Sequence, residues 1–343
     1  MSSLTNKTVL VTGGGGFIGS TLVEQIIETD PTMVRVFDHD QQRMFRLQNQ
    51  LEQSETSLQY LLGDLRDRSR VSRAMEGIDV VFHVGAIKHV EMSEYNPTEA
   101  VQTNIRGTRN LIQAAIEKGV DSFTAVSTDK AADPSSVMGA TKLIMERVVT
   151  AAGAEHDRNT NFNCVRFGNV LGSTGSVVPI FFDQISNGGP ITVTNPDMTR
   201  FIMPVERAVE LVLSAHEYGA QGRIFVLKMP AFRVGDLAKA LKSTYAPKYG
   251  FSRDNIEIEY IGRRPGERTH EKLLSHEELA RVEERKEMFV IHPDINVDDG
   301  LSTISNSVER EYTSANATLL ERDEIISLIN RTNAIEEKVE VEV

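Results

Sequence analysis

The sequence predicts an α/β protein with a Rossmann-like, doubly wound parallel sheet and a smaller C-terminal lobe. Apolar, β-branched runs alternate with helical patterns between residues 7 and 167, which is typical of βαβ units. The first of these runs leads directly into a string of glycines. After residue 169, glycine and proline punctuate the chain, which indicates shorter elements and a second lobe.

Composition narrows the class of protein. The 343 residues allow a two-lobed enzyme, and their net charge of −12 argues against a general nucleic-acid binder. No apolar run approaches the ~20 residues of a membrane span, and Lys7 leads into a strand without a signal-peptide pattern. The single cysteine, Cys164, fits a reducing compartment and reads as a buried thiol rather than a nucleophile. We therefore expect a cytoplasmic protein without a membrane span or a metal site.

The glycine string predicts a dinucleotide-binding loop. It follows a predicted strand, Lys7–Thr12, and precedes a predicted helix, Ser20–Glu28. Glycine permits the tight turn and lets a pyrophosphate approach the helix N-terminus, whose free N–H groups favour anions. Between a strand and a helix, the spacing G-x-x-G-x-x-G is a specific signal. The predicted cofactor-binding residues of this loop are Gly13, Gly16, Phe17, Ile18 and Gly19.

The end of the second predicted strand, Met33–Phe37, suggests which dinucleotide is bound. Asp38 lies about 20 residues past the glycines, where a carboxylate accepts hydrogen bonds from ribose hydroxyls. This favours NAD, because a carboxylate repels the 2′-phosphate of NADP. Arg43 could hold that phosphate, so NADP stays possible. Asp38 could instead cap the following helix.

Two further strands are predicted at Leu58–Leu62 and Asp79–Val84. Gly85 and Ala86 follow the second strand, and their small side chains would let a cofactor lie against the strand end. A helix is then predicted from Glu99 to Lys118.

The central stretch of the chain gathers chemically active groups. The buried strand predicted at Phe123–Val126 ends in Ser-Thr-Asp-Lys at 127–130. Met138 opens a helix in which Lys142, four residues later, lies on the same face. A hydroxyl, a carboxyl and an ammonium group thus lie at the carboxyl end of a strand, where open parallel sheets place their ligands.

These residues carry a resemblance. Ser-Thr-Asp-Lys-Ala at 127–131, followed by Met-Gly-Ala-Thr-Lys at 138–142, resembles the extended short-chain dehydrogenases/reductases. More narrowly, it resembles the UDP-N-acetylglucosamine 4,6-dehydratases of polysaccharide biosynthesis, over roughly residues 5–295. The resemblance implies a UDP-N-acetylhexosamine substrate and a homo-oligomer, either a dimer or a hexamer.

One position departs from the wider superfamily. The catalytic tyrosine of Tyr-x-x-x-Lys is replaced by Met138, whose thioether cannot exchange a proton. Either the chain is inactive, or another residue handles the proton of the C4 hydroxyl. The second interpretation is favoured because dehydratases with methionine at this position are known.

The resemblance also implies a reaction. The cofactor takes the C4 hydride, water is eliminated across C5–C6, and the hydride returns to C6. Thr128 would provide a hydroxyl near O4, Asp129 the acid that protonates the leaving C6 hydroxyl, and Lys130 the base at C5. Lys142 would hold the nicotinamide ribose. The simplest alternative for Asp129 and Lys130 is a strand-end salt bridge.

Further ligand contacts are implied by the family. Asp64, with Leu65 beside it, would contact adenine, whereas Lys88 and His89 would face the substrate, as would Asn104. Lys88 and His89 could instead be a loop lysine and a helix cap, and Asn104 a polar residue that bends its helix. Expected contacts to the nucleotide of the substrate come from Asn169, Arg200, Arg264 and Glu267. Surface ion pairing is the alternative for Arg200 and Arg264.

The predicted domains are a Rossmann domain at 1–169, completed by a helix at 205–218, a UDP-sugar lobe at 170–295 and a C-terminal extension at 296–343. The acidic end of the extension is expected to be solvated or to form an oligomer contact. Two other functions remain open. A UDP-sugar 4-epimerase shares the fold and the oxidation step, and a non-catalytic nucleotide-sugar-binding protein would explain the lost tyrosine.

Overall fold

A computed structural model describes residues 3–154, 159–173, 176–219, 221–264, 266–293 and 308–331. Its helices are α1 (Phe17–Ile27), α2 (Gln41–Gln50), α3 (Arg68–Ala74), α4 (Val90–Tyr95), α5 (Pro97–Ala100), α6 (Thr108–Lys118), α7 (Val137–Ala154), α8 (Val177–Ser186), α9 (Val205–Tyr218), α10 (Val234–Tyr245) and α11 (Arg322–Arg331). A π-helical segment, Val101–Gly107, joins α5 to α6, and 3₁₀ turns cover Asp129–Ala131, Ala246–Tyr249, Arg253–Asn255 and His276–Arg281.

The strands are β1 (Thr8–Thr12), β2 (Met33–Asp38), β3 (Ser57–Leu62), β4 (Val80–His83), β5 (Ser122–Thr128), β6 (Asn161–Phe167), β7 (Asn169–Val170), β8 (Ile191–Val193), β9 (Thr199–Met203), β10 (Ile224–Leu227), β11 (Ala231–Arg233), β12 (Ile258–Tyr260), β13 (Lys272–Leu274), β14 (Val282–Glu284), β15 (Met288–Ile291) and β16 (Tyr312–Thr313).

The main sheet has nine strands in the order β14-β15-β10-β6-β5-β4-β1-β2-β3. The strands from β10 to β3 pair in parallel, and the order reverses at β1, as in doubly wound dinucleotide-binding sheets. The predicted fold class is therefore confirmed. The inner strands are buried along almost their whole length, since helices that cross over between parallel strands cover both faces of a sheet.

Register places the site residues at one edge of this sheet. Thr12 of β1 lies opposite His83 of β4, and His83 lies opposite Ala125 of β5. Thr128 is the last residue of β5 and lies opposite Phe167, the last residue of β6. Because the strands are parallel, the segments that follow β1, β4 and β5 all emerge at the carboxyl edge.

The chain forms two compact units. Of the described residues, unit 1 holds those within 1–167, 208–228 and 274–311, and unit 2 holds those within 168–207, 229–273 and from 312 onward. The boundary differs from the predicted one, because β10, β14 and β15 extend the main sheet instead of joining a lobe at 170–295. β14 and β15 pair antiparallel, so no βαβ pattern in the sequence announces them.

Unit 2 has its own hydrophobic core. Phe181 and Ile185 of α8 pack in one cluster with Leu237 of α10. Ile325 and Ile329 of α11 belong to the same cluster, so this helix of the expected C-terminal extension is a structural element of unit 2. The acidic stretch at 336–343 lies outside the described residues. In the part of the chain that the structure describes, no helix is long and apolar enough to cross a membrane.

Candidate active site

The glycine loop is packed too tightly for side chains. Gly13 has a φ of 69°, and a Cβ placed there would lie 2.5 Å from Gly85 Cα. A Cβ on Gly19 would lie 2.1 Å from the Gly13 carbonyl oxygen. Real Cβ atoms do not approach that closely, so these glycines hold the loop against both the end of β4 and the start of α1.

The start of α1 is suited to an anion. Gly16 occupies the N-cap position and has no side chain with which to bond the first N–H groups. Phe17 and Ile18 open the helix, so their backbone amides lie at the positive end of the helix dipole. This is the arrangement that the glycine spacing predicts for a pyrophosphate site.

Asp38 is fixed beside the glycine loop. Its Oδ2 accepts a hydrogen bond from the Gly15 N–H at 3.1 Å, and its Oδ1 accepts one from the Asp40 N–H at 3.0 Å. The cap of α2 is Asp40, which accepts from the amides of Gln42 and Arg43. The helix-cap alternative for Asp38 is therefore wrong.

The Arg43 side chain lies beside Gly15, and its charge reaches Lys88 and His89. A Cβ placed on Gly15 would lie 3.0 Å from Arg43 Cβ, so the Arg43 side chain begins against the loop. Burial lowers the pKa of Lys88, and the charge of Arg43 lowers it further. The pKa of His89 is lowered by burial and then by Lys88 and Arg43. His89 occupies the N-cap position of α4, but its side chain makes no capping hydrogen bond.

The loop after β3 is held from several sides. Asp64 accepts two hydrogen bonds from Arg66 Nε, both at 2.9 Å. Leu65 is buried, and a Cβ on Gly107 would lie 2.8 Å from Leu65 Cβ. Asn110 donates to the Leu65 carbonyl at 2.9 Å. The predicted adenine loop is thus pinned to the π-helical segment and to α6.

Asn104 lies in the π-helical segment and is only 1% exposed. Its Oδ1 accepts from the Ile87 N–H at 2.8 Å, and its Nδ2 donates to the Ile87 carbonyl and to Thr141 Oγ1, each at 3.0 Å. The structure therefore places Asn104 as a residue that positions the loop after β4 and helix α7.

A buried histidine continues this network. His83 Nδ1 lies 2.8 Å from Thr12 Oγ1, and His83 Nε2 lies 2.9 Å from Thr108 Oγ1. The Thr108 hydroxyl donates to the Asn104 carbonyl at 2.7 Å, so His83 Nε2 must carry the proton that bonds Thr108. Burial, with a smaller effect from the charge of Lys142, lowers the pKa of His83 to about 3.

At the end of β5, the side chains of Thr128 and Lys130 both donate to one carboxylate oxygen of Asp129. Thr128 Oγ1 donates to Asp129 Oδ1 at 2.6 Å, and Lys130 Nζ donates to the same oxygen at 3.2 Å. Asp129 is 2% exposed, whereas the Lys130 side chain is 29% exposed. A hydroxyl, a carboxylate and an ammonium group therefore form one hydrogen-bonded unit at the carboxyl edge.

Helix α7 begins against this unit. Ser136 Oγ accepts from the Gly139 N–H at 3.1 Å, and Glu94 Oε1 accepts from the Val137 N–H at 2.7 Å. A Cβ on Gly139 would lie 2.5 Å from the Lys130 carbonyl oxygen. Glycine at this position lets the helix touch the turn that carries Lys130.

Met138 and Lys142 are both buried on α7. Lys142 Nζ donates to the Val126 carbonyl at 2.6 Å and to Met145 Sδ at 3.1 Å. Burial lowers the pKa of Lys142 to about 8, while the charges of Cys164 and Glu146 oppose that shift.

A buried charge triad was not predicted. Arg166 on β6 donates to Glu146 on α7 at 2.9 and 2.6 Å, and to Glu278 at 3.0 and 2.8 Å. The Arg166 and Glu146 side chains are fully buried, and that of Glu278 is 5% exposed. The spacing of Lys142 and Glu146, four residues apart on one helix, could have indicated that Glu146 lies on the face that carries Lys142, but its pairing with Arg166 and Glu278 has no local sequence signal.

The predicted nucleotide contacts lie in unit 2. Arg200 is buried, and its guanidinium lies 3.2 Å from Glu271 Oε1 and 3.6 Å from Glu267 Oε1. It also donates to the Thr199 carbonyl at 2.9 Å. Arg200 is therefore in a buried ion pair rather than the surface pair considered as an alternative.

The turn at 264–267 is tied to Arg200 through Glu267. Glu267 Oε2 accepts from the Arg264 N–H at 3.1 Å, and Gly266 has a φ of 76°. The Arg264 residue is exposed, and Pro265 lies outside the described residues. Asn169, in β7, lies opposite Ile202 of β9.

Comparison with known proteins supports this fold. The polysaccharide biosynthesis protein family matches residues 9–293. An uncharacterized membrane protein of Methanocaldococcus jannaschii is 47% identical over 84% of this chain and 86% of its own. A UDP-glucose 4-epimerase of Rickettsia canadensis is 37% identical over 97% of this chain and 98% of its own. The X-ray structure of Pen from Bacillus thuringiensis is 38% identical, covers 97% of this chain and 99% of that chain, and superposes with a TM-score of 0.91.

The fold and the site define an extended short-chain dehydrogenase/reductase of the nucleotide-sugar dehydratase and epimerase group. Since the family model spans most of the chain, this protein belongs to the polysaccharide biosynthesis protein family. The predicted family is thereby confirmed.

Proposed function

We propose that this protein is an NAD-dependent UDP-N-acetylglucosamine 4,6-dehydratase, which forms a UDP-4-keto-6-deoxy-N-acetylhexosamine. The observation that carries the proposal is the unit of Thr128, Asp129 and Lys130, joined through one carboxylate oxygen. An elimination needs an acid and a base in addition to the group that handles the C4 hydroxyl. This unit supplies all three functions while Met138 supplies none.

The residues fit a nicotinamide dinucleotide. The glycine loop has no room for side chains and presents the start of α1, and the Asp38 carboxylate is fixed beside it. NAD, when bound, would accept the C4 hydride of the sugar and return it to C6. The residues proposed to hold it are Gly13, Gly16, Phe17, Ile18, Gly19, Asp38, Arg43, Asp64, Leu65, Gly85, Ala86 and Lys142.

The hydrogen bond between Thr128 and Asp129 gives a route for the C4 proton. As the C4 hydroxyl is oxidised, its proton passes to Thr128 Oγ1 while the Thr128 proton passes to Asp129 Oδ1, 2.6 Å away. Asp129 is then a neutral acid. This route takes over the proton transfer that the catalytic tyrosine performs in the wider superfamily and that Met138 cannot perform.

The same proton completes the elimination. Lys130, which must first release its ammonium proton to solvent, removes the C5 proton that the 4-keto group has made acidic. Asp129 gives its proton to the departing C6 oxygen, which leaves as water. Lys130 then returns a proton to C5 and takes one back from solvent, so Thr128, Asp129 and Lys130 all regain their starting states.

The UDP group is proposed to bind unit 2. The exposed Arg264 has the fork of donors that suits a diphosphate. Arg200 is already neutralised by Glu267 and Glu271, so its principal effect is to hold the turn that aims Arg264. Asn169 is proposed as a further contact. In unit 1, Lys88 and His89 are proposed to contact the substrate, and Asn104 is proposed to act through the loop that carries Lys88.

A 4-epimerase is the second candidate. The Rickettsia canadensis relative, 37% identical over 97% of this chain, carries that name. An epimerase needs the C4 oxidation and a return of the hydride to the opposite face, but no acid at O6. In an epimerase, Asp129→Asn would reduce activity only because it blocks transfer of the proton of the C4 hydroxyl.

The deciding experiment uses the full-length protein with UDP-N-acetylglucosamine in deuterated water, followed by proton NMR. A 6-deoxy methyl signal with deuterium at C5 supports the dehydratase, and the ring couplings give the C5 configuration. A UDP-N-acetylgalactosamine spectrum without a methyl signal supports the epimerase. Tight binding without any new signal overturns both assignments for this substrate and supports a nucleotide-sugar-binding protein.

A further inference from the structure

We propose that Glu146 is a positioning residue that keeps Lys142 cationic, and that Arg166 and Glu278 fix Glu146 for this role. The inference concerns the charge state of Lys142, and its relevance to catalysis rests on the proposed function. Lys142, Glu146, Arg166 and Glu278 form a buried charge cluster in unit 1.

The first observation is spacing. Lys142 and Glu146 are four residues apart on α7, so their side chains leave the same face of the helix about one turn apart. Both residues are buried, Lys142 at 5% and Glu146 at 0% exposure. Between charges so removed from water, the interaction is much stronger than at a surface.

The second observation is that Arg166 holds the Glu146 carboxylate in place through two hydrogen bonds. Its two oxygens accept hydrogen bonds from Arg166 Nε and Nη2 at 2.9 and 2.6 Å. The other side of Arg166 is occupied by Glu278, which also accepts from the Ser275 N–H at 3.0 Å. Two carboxylates on one guanidinium leave an excess negative charge buried one helical turn from Lys142.

The third observation is what else faces Lys142. His83 on β4 is held in its neutral form, and Cys164 on β6 is a buried thiol whose pKa is raised by burial. The polar contacts of Lys142 Nζ, the Val126 carbonyl and Met145 Sδ, are uncharged. Asp129 and Lys130 reach α7 at Gly139, almost one turn before Lys142.

A cation at Lys142 matters for the proposed chemistry. It would bond the nicotinamide ribose as a donor and add positive charge beside the hydride acceptor. The catalytic tyrosine of the wider superfamily is replaced here by Met138, whose thioether has no proton to donate. Because burial keeps the Cys164 thiol neutral near pH 8, the carboxylate of Glu146 is the charged group that opposes loss of the Lys142 proton.

The test measures the titration of Lys142 itself. The full-length protein is labelled with ¹³C at lysine Cε, and the Lys142 signal is assigned by its absence in Lys142→Met. We expect the wild-type signal to titrate near pH 8, and Glu146→Gln to lower that midpoint by about one unit. Glu146→Asp keeps the charge and should restore most of the shift.

Glu278→Gln is the matched control. It removes the same charge from the same arginine, but Glu278 is not among the charges that shift the pKa of Lys142, so the Lys142 midpoint should move clearly less than in Glu146→Gln. Equal shifts in the two Gln variants, or no shift in Glu146→Gln, overturn the proposal. If Glu146→Gln does not fold, the wild-type titration decides: a Lys142 that is already neutral at pH 7 overturns the proposal without a variant. Because the readout needs neither substrate nor turnover, it stays independent of the dehydratase assignment.

Discussion

Thr128 Oγ1 donates a 2.6 Å hydrogen bond to Oδ1 of its neighbour in the chain, Asp129. Adjacent residues of a continuous strand point to opposite faces and cannot make this contact. It forms because β5 ends at Thr128 and a 3₁₀ turn begins at Asp129. The end of the strand thus brings two neighbours in sequence into a hydrogen-bonded pair, the geometry that the proposed proton transfer needs.

The hydroxyl of this pair should be essential. Thr128→Val keeps the shape of the side chain but removes the hydroxyl, so turnover should fall about 10²-fold or more while the protein stays folded. Thr128→Ser keeps the hydroxyl and should retain most of the activity. Steady-state turnover of both variants checks this. Equal activity in Thr128→Val and wild type would remove Thr128 from the proton route.

The carboxylate and the ammonium should have separable effects. Asp129→Asn cannot accept the C4 proton or protonate O6, so neither oxidation nor elimination should proceed. Lys130→Met should still allow oxidation at C4 but block removal of the C5 proton. A single-turnover experiment that follows NADH absorbance distinguishes them, because only Lys130→Met should accumulate the reduced cofactor. Near-normal turnover of both folded variants contradicts the proposed chemistry.

Met138 should be replaceable. It is buried and has no proton to exchange, so Met138→Leu, which conserves volume, should change turnover by less than about threefold. Its effect on unfolding free energy should stay below about 1.5 kcal/mol. A loss of activity comparable to that of Thr128→Val, at unchanged stability, would show that the sulfur takes part.

Gly139 should tolerate no side chain. In Gly139→Ala the new Cβ would lie 2.5 Å from the Lys130 carbonyl, so either α7 or the Lys130 turn must move. We expect a lower melting temperature and at least a tenfold loss of turnover, since small misplacements of reacting groups are costly. Ile144→Ala, on the same helix but 46% exposed, is the control and should change little.

Acid should destabilise the fold through His83. Its pKa is about 3 in the folded protein against 6.5 when exposed, so the unfolded chain binds the extra proton first as pH falls. The stability from this histidine is complete above pH 6.5 and is lost at about 1.4 kcal/mol per pH unit below it. His216, with a pKa of about 4, acts in the same window. Urea unfolding between pH 7.5 and 5 measures the slope, and His83→Gln should reduce it by about one proton. An unchanged slope would contradict the assignment.

Sequence reasoning succeeded where the signal was local. The strands β1 to β6 are short segments rich in apolar and β-branched residues, and the glycines and Thr128 to Lys130 adjoin strand ends, so their placement follows from the parallel topology. Contacts between residues far apart in the chain have no such local signal in the sequence. The antiparallel β15 gives no βαβ pattern, and Glu278 meets Arg166 across 112 residues of chain.

Some alternatives could not be decided from the sequence pattern. Asp38 and Asp40 are both reasonable caps for α2, and only the hydrogen bonds to Gln42 and Arg43 distinguish them. Arg200 has the sequence context of a surface residue, yet Glu271 is folded against it. The family resemblance predicts Asn104 near the substrate. The sequence alone does not show that its side-chain amide is bonded to the backbone of Ile87.

The π-helical segment Val101–Gly107 makes the length of this stretch more important than its composition. Asn104, Gly107, Thr108 and Asn110 contact four different parts of unit 1, and the wide turn sets the angles at which they do so. Removing one residue would let the segment relax to an α-helix and rotate everything beyond it by about 100°. A one-residue deletion there should abolish dinucleotide binding in calorimetry while the far-ultraviolet circular dichroism stays helical. Evolution can therefore exchange side chains in this stretch more freely than it can insert or delete a codon.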